Sequence, residues 1–393
     1  MLRNSFKRDN YVVLGTINKF CKKHNLGYIS TKDEGLRKIE EFKKINLNNE
    51  LIVKEWIEKT IRQGQKRIFL RKFEVEDIVK EKIYWKDKVT KSTVFLNEEQ
   101  FPIDEPKIFN VQIEGGEEKV QKVYMDMGIK YKEILKNETR TCCYPIFVEI
   151  DFKYNLLKIR LKSKGTLYTI NANNENGLGS SVNIFSLIEN IQRKIESMYH
   201  IKLDSIEVNG RKKNIFHQVY FKILEEFTKT PKIIQDKIDG FEDEINRLVG
   251  KAFHDYKLNP QYLSNAKEDL KIFMEKYISL SEMDENIFKY SKEGYPIKLS
   301  ATDVEETKVE EVSSDKTPLQ KKSSFFDHKK IIIKQKSCDG MTLAYKRRDD
   351  RYFGKELFAV DFYYKKGNGI VNFPEYVEEA DIENVLSNIT RNI

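Results

Sequence analysis

At 393 residues, with 39% hydrophobic, 34% charged and 12% aromatic content, the chain is long enough for roughly two or three cores and too rich in aromatic side chains for a disordered protein. Apolar runs such as Val12-Val13-Leu14 and Ile331-Ile332-Ile333 are strand- or core-sized, which argues against a membrane-spanning helix. The formal charge of +8 is mild for this length, so a nucleic-acid ligand is permitted but not required.

The opening residues, Met1 to Asp9, hold no apolar h-region, and the expectation is a chain that is not secreted. Cysteines at 21, 142, 143 and 338 form no C-x-x-C pair and have no histidine spaced to complete a zinc site. Reduced thiols in a cytoplasmic protein, with no resident metal, are the expectation. Abundant Lys, Ile and Asn point, by composition alone, to an AT-rich microbial genome.

From about residue 10 to 95 apolar residues recur at helical spacing, through Leu14, Ile17 and Phe20, then Leu36, Ile39 and Phe42, then Ile52, Trp56 and Ile57. Gly64 closes the third of these helices, and Arg67-Ile68-Phe69-Leu70-Arg71 reads as a short strand. Between Pro102 and Ile170 the pattern turns to strands. The clearest is a hairpin over Ile146 to Lys162, turning at Tyr154-Asn155. A two-residue loop there sets Phe152 opposite Leu157, Asp151 opposite Lys158, Glu149 opposite Arg160 and Val148 opposite Leu161. Its charged residues then share the wet face of a half-buried sheet.

An Asn/Gly loop from Asn171 to Gly179 leads to an amphipathic helix with Ile184, Ile188, Ile191, Ile195 and Met198 on one face. A second helix runs through Phe216, Val219, Tyr220, Ile223 and Phe227. A third starts with Thr230 as N-cap and Pro231 at its first position, and carries the stripe Ile234, Ile238, Phe241, Ile245, Leu248 and Ala252. The polar stretch Ala301 to Ser324 reads as a linker. After it, Ile331 to Lys336 and Met341 to Lys346 flank a turn at Asp339-Gly340. Leu357 to Tyr364 and Ile370 to Phe373 flank Gly367-Asn368-Gly369. A helix from Ala380 to Ile389 ends the pattern. The fold class expected is α+β: a helical module over 1–100, a central antiparallel sheet with helices over 101–299, a linker over 300–324 and a β-rich module over 325–393.

Three constellations could carry chemistry. Glu149, Asp151 and Lys153 alternate onto one strand face, and two acids with a lysine, joined by Asp126, suit magnesium or manganese, a water and a scissile phosphate. Asp151-Phe152-Lys153 resembles the acid-x-lysine of metal-dependent nucleases of the PD-(D/E)xK kind, although the Pro-Asp that accompanies it in that family is absent. The resemblance implies phosphodiester cleavage. The competing reading gives the acids structural partners in Lys158 and Arg160.

Gly177-Leu178-Gly179-Ser180-Ser181, between a strand and a helix, lets the backbone approach an anion, with Ser180 as an alternative helix cap. Arg211-Lys212-Lys213 precedes a helix, where cations oppose the dipole unless an anion joins them. Similar basic clusters are Lys22-Lys23-His24, Lys66-Arg67 with Arg71-Lys72, and Lys346-Arg347-Arg348 with Arg351, the last beside Tyr345 and Tyr352. The histidines at 24, 200, 217, 254 and 328 show no metal-ligand spacing, and no nucleophile elbow is present.

The function expected is a non-enzymatic nucleic-acid-associated or partner-binding accessory protein of a microbial complex, with genome or antiviral defence as a fitting context. The alternatives are a metal-dependent nuclease at Glu149, Asp151 and Lys153, and a protein–protein scaffold using the 234–252 stripe.

Overall fold

A computed structural model describes residues 11–90, 100–135, 138–162, 167–171, 177–204, 215–289, 292–302, 308–313, 315, 317–336, 338–349 and 355–393. Two compact units are distinguished. One is Met1–Gly210 with Arg347–Glu356 and Lys365–Thr390; the other is Arg211–Lys346 with Leu357–Tyr364 and Arg391–Ile393.

Helices α1 (Leu14–Lys23), α2 (Lys32–Ile45) and α3 (Leu47–Arg62) form where the apolar spacing predicts them. Thr31 and Asn46 start the second and third, their side-chain oxygens accepting from the N–H of Glu34 and of Asn49. The apolar faces close over one core of Val12, Ile17, Phe20, Ile39 and Val53. Gly64, at φ +93°, turns the chain out of α3 into β1 (Lys66–Val75).

Two single turns, α4 (Asp77–Lys80) and α5 (Lys82–Trp85), lead to β2 (Lys107–Gly115), β3 (Val120–Leu135), β4 (Glu138–Asp151) and β5 (Leu156–Leu161). Strands β6 (Leu167–Ile170) and β7 (Leu178–Ser181), helix α6 (Ile184–Tyr199) and β8 (Ile201–Leu203) follow. The second unit holds α7 (Ile215–Thr228), α8 (Lys232–Asp239), α9 (Glu242–Asp255), α10 (Leu263–Ser281) and α11 (Asn286–Lys289). It also holds β9 (Gly294–Thr302), β10 (Lys308–Val312), α12 (Ser323–Gln335), β11 (Gly340–Lys346) and nearly all of β12 (Leu357–Lys365). Strand β13 (Asn368–Phe373) and most of α13 (Glu379–Asn392) belong to the first unit.

In the first unit the strands run antiparallel in the order β13-β1-β5-β4-β3-β6-β7, with β2 also on β3 and β8 on β1. Helix α6 packs by its buried Ile188, Ile191 and Ile195. Phe185 meets Phe69 of β1 edge-on, and Gln192 donates to Asn368 of β13. In the second unit β10, β9, β11 and β12 pair antiparallel in that order. The α+β class is therefore as expected.

Several local expectations need correction. The hairpin joins β4 and β5, but Glu149 lies opposite Lys158, Phe147 opposite Arg160 and Asp151 opposite Leu156. The turn takes four residues, 152–155, with Asn155 at φ +47°, instead of two. A register change of two residues leaves every side chain on its original face, so alternation alone does not separate the two pairings. The face predicted to be wet is interior: Asp151 is 1% exposed and Lys158 5%.

The helix expected from Thr230 to Ala252 is two helices, α8 and α9, broken at Gly240-Phe241, with Pro231 at the cap position. Ile234, Ile238 and Ile245 are buried while Phe241 and Leu248 are exposed, so the stripe does not run unbroken. Residues 331–335, expected as a strand, lie in α12, where Phe325, Phe326 and Ile332 are buried. Tertiary packing here overrides the β-propensity of three isoleucines. Strand β11 pairs instead with β9 and β12. The stretch expected as a linker holds the end of β9, all of β10 and the start of α12.

Candidate anion-binding site

Glu149 and Asp151 share a face of β4, whereas Lys153 sits in the turn with its Nζ 5.1 Å from the centre of the Tyr154 ring. The expected triad on one strand face is therefore broken by the four-residue turn. Asp151 uses one oxygen to accept from the N–H groups of Lys153 (3.1 Å) and Tyr154 (3.3 Å), which closes that turn. Its other oxygen is 3.4 Å from the Lys158 ammonium, which also lies 2.9 Å from Glu149. Lys122 of β3 approaches Glu149 at 3.2 Å. Burial favours neutral Glu149, but Lys158 and Lys122 outweigh it and hold its pKa below the usual carboxylate value.

Arg160 turns the other way, to Glu379 (2.7 Å) and Glu383 (3.5 Å) of α13. Burial pushes the Glu383 pKa up, with Arg160 opposing it and Glu379 adding to it. Asp126 accepts from Arg62 at 2.6 Å and from the Asn110 amide at 3.0 Å. Each acid of the proposed metal cluster thus faces a cation, Lys158 being shared by Glu149 and Asp151. Among the described residues no group of three or more His, Cys, Asp or Glu side chains is placed to hold a metal ion.

The glycine turn is strand rather than helix start. Gly179 lies in β7 so close to β6 that a Cβ would fall 2.2 Å from the Thr169 hydroxyl, and Ser180 N–H donates to that hydroxyl at 2.9 Å. Gly177 precedes β7 at φ +62°. Helix α6 is capped by Asn183, whose oxygen accepts from Phe185 (2.9 Å) and Ser186 (3.4 Å).

Arg211, Lys212, Lys213 and Arg351 lie outside the described residues. Lys346 is exposed at the end of β11. The Arg347 side chain is buried, donating to the Tyr376 carbonyl at 2.9 Å with Asp381 3.9 Å away. The Arg348 backbone N–H donates to the Asp381 carboxylate, and its guanidinium donates to Asn384. Lys66 is buried on the Ile61 carbonyl, Arg71 donates to the Asp204 carbonyl, and Lys72 to that of Tyr154. These cations hold the chain together.

Lys22-Lys23-His24 has a different setting. Phe20 on α1 and His24, which caps its C-terminus, face Ile52, Trp56 and Lys59, spaced four and three on α3. Between them is a cavity of about 560 Å³, also lined by Lys19, Lys23, Glu55, Gln63 and Glu378. The Phe20 ring centre lies 4.8 Å from Trp56 and 4.5 Å from His24, with Phe42 behind, 5.1 Å from His24. His24 is held below its usual pKa by burial and by the charge on Lys23, so it is neutral at pH 7. Burial opposes the charge on Lys19, but Glu378 at 2.9 Å and Asp349 at 3.2 Å outweigh it and raise its pKa. Lys23 and Lys59 make no ion pair among the described residues.

Lys59 also lines a second cavity of about 330 Å³, with Arg62, Lys122, Lys158 and Arg160 against Glu149, Glu379 and Glu383. The other Lys and Arg side chains of the two cavities are paired with carboxylates, apart from Lys23, so an anion entering at Lys59 meets the two lysines that make no ion pair among the described residues. The signal for this site was present in the i, i+4 aromatic spacing of Phe20 with His24 and the half-buried Trp56, which sequence alone assigns to packing. No family model, curated protein or solved structure matches this chain.

Proposed function

We propose that this chain binds single-stranded nucleic acid without cleaving it, with one base entering the cavity between α1 and α3. The observation that carries the reading is the half-buried Trp56, backed by Phe20 and His24 and flanked by the ammonium groups of Lys23 and Lys59, which make no ion pair among the described residues. Stacking on an aromatic platform contributes about 1–3 kcal/mol per base and tolerates any sequence, while the lysines meet the phosphates on either side. Absence of cleavage is supported by Glu149 and Asp151, whose charges are already met by Lys158.

The chain contains two tryptophans, and Trp85 is fully buried, so quenching by an added oligonucleotide reports on Trp56. Titration with oligothymidylate is expected to quench emission saturably, more weakly at about 200 mM than at about 50 mM salt, with the oligonucleotide intact in magnesium. Lys23→Ala with Lys59→Ala weakens binding several-fold. Unquenched emission at low salt, or cleavage of the oligonucleotide, would overturn the proposal.

A second reading, a protein–protein scaffold, is favoured by one face of α10. Tyr262, Ala266, Leu270, Phe273 and Tyr277 follow each other at four, four, three and four residues, and the three aromatic residues are each more than half exposed. Among the described residues, nine of the twenty exposed large hydrophobic residues lie between Ile233 and Met283. The stripe expected at 234–252 contributes only its exposed members, Phe241 and Leu248.

A further inference from the structure

On α10, Met274 and Ile278 pack against Ile234 and Ile238 of α8, and Glu275 and Ser279 are buried. Tyr262 at the N-cap, Ala266, Leu270, Phe273 and Tyr277 fall on the opposite side, where about 100° of turn per residue gathers them into one narrow strip. Tyr262 and Phe273 are each 55% exposed and Tyr277 52%.

The strip carries no charge, and its borders are settled within the chain. On one side Lys271 pairs with Glu242 of α9 at 2.7 Å; on the other, Asp269 and Lys276 pair with Lys330 and Asp327 of α12 at 2.6 and 3.4 Å. Of the charged residues bordering it, only Lys267, one turn before Lys271, makes no ion pair among the described residues. A charged partner would lose its water here and gain nothing in return, whereas a second uncharged strip meets this one without like-charge repulsion.

The order of side chains is also its own complement. About the midpoint between Asp269 and Leu270, Tyr262 and Tyr277 stand equally far out, and so do Ala266 and Phe273. Turning a copy end over end about that point sets large Phe273 against small Ala266 twice, Tyr262 against Tyr277 at each end, and Leu270 against Leu270 at the centre. A parallel pair instead opposes Ala266 with Ala266 and Phe273 with Phe273, a void at one level and crowding at the other, with the helix dipoles aligned.

Building on the scaffold reading of α10, we propose that the occupant of this strip is the same strip of a second copy, antiparallel about a twofold axis beside Leu270. A Tyr or Phe buries about 150–250 Å², so three half-exposed rings offer about 300 Å² per copy, and Ala266 and Leu270 add to it. The sum over two copies stays below the roughly 1,200–2,000 Å² of a stable interface, which makes the dimer weak and reversible.

The test is sedimentation equilibrium of the full chain, followed by cross-linking. The parent is expected to dimerise reversibly in the range of tens of micromolar. Tyr277→Asp weakens the dimer by about tenfold or more. Leu248→Asp, exposed on α9 away from the strip, leaves it unchanged. The four native cysteines are buried, so under mild oxidation Leu270→Cys is expected to link to itself, and a mixture of Ala266→Cys with Phe273→Cys to link faster than either alone. A parent that stays monomeric at every concentration overturns the second copy and leaves α10 to a different protein. Dimers that Tyr277→Asp does not weaken overturn the scaffold reading of α10 as well. Ala266→Cys linking to itself faster than to Phe273→Cys overturns the antiparallel pairing.

Discussion

The charged ladder between β3, β4 and β5 makes a quantitative prediction through Lys158→Met. The ammonium lies 2.9 Å from Glu149 and 3.4 Å from Asp151, and side-chain exposure is 6% for the lysine, 13% for Glu149 and 1% for Asp151. Removing one member of a buried pair costs about 3–5 kcal/mol, because the other charge is left without its partner. Here each acid keeps something: Lys122 at 3.2 Å for Glu149, and the N–H groups of Lys153 and Tyr154 for Asp151. The expected loss is therefore at the low end, about 3 kcal/mol.

Both tryptophans belong to the first unit, so emission during urea denaturation follows that unit. With a slope of about 2 kcal/mol per molar urea, the midpoint falls by about 1.5 M. The pH dependence has a definite sign. Glu149 is held below its ordinary pKa of 4.5 when folded, so its contribution is present above that value and is lost as pH falls through the folded pKa. The gap between parent and variant is thus full at pH 7 and narrows below about pH 4.5. A loss under about 1 kcal/mol at pH 7, or a gap that does not narrow in acid, would refute the ion-pair assignment. Marked stabilisation of the parent by millimolar magnesium would refute it too and restore the metal reading.

Two further outcomes follow from burial. All four cysteines are free and buried, and burial pushes Cys338 up to about 12, so a thiol reagent is expected to titrate none of them before urea is added; rapid labelling of the native chain contradicts this packing. On α10, Tyr277→Asp leaves the melting temperature within a few degrees and abolishes any concentration-dependent assembly seen by sedimentation, whereas Ile238→Asp on α8, at a site 3% exposed, costs upward of about 3 kcal/mol. A parent that stays monomeric at every concentration removes the homotypic scaffold.

The fold was legible wherever one face is buried and the period is regular. Phe20 and Ile17, Ile188 and Ile191, and Val148 with Ile150 all lie inside as their spacing predicts. What was not legible was the partner of each face. Phe152 continues the alternation of β4 and reads as strand, yet it belongs to the turn, and that displacement moved Lys158 from Asp151 to Glu149. At Ile331-Ile332-Ile333 local preference points to a strand, while the helix Ser323–Gln335 is set by the burial of Phe325 and Phe326, five or more residues away. At Gly240-Phe241 the apolar stripe continues past a break that only the packing of Ile238 and Ile245 reveals.

The same limitation explains why charge patterns misled more than apolar ones. A run such as Lys346-Arg347-Arg348 has the same composition whether it faces a phosphate or a carbonyl, and Arg347 is decided by Tyr376 and Asp381, some thirty residues on. Lys23 and Lys59 stand apart because their helices bring them to one cavity, beside Glu55 and Glu378, without an ion pair to either lysine among the described residues. If the quenching of Trp56 by oligothymidylate disappears with those two charges while the stability set by Lys158 is untouched, binding and architecture have been separated on neighbouring faces of one helix, α3. If instead both change together, the ion-pair ladder extends through Arg62 and Lys59, and the cavity is a consequence of structural electrostatics rather than a site.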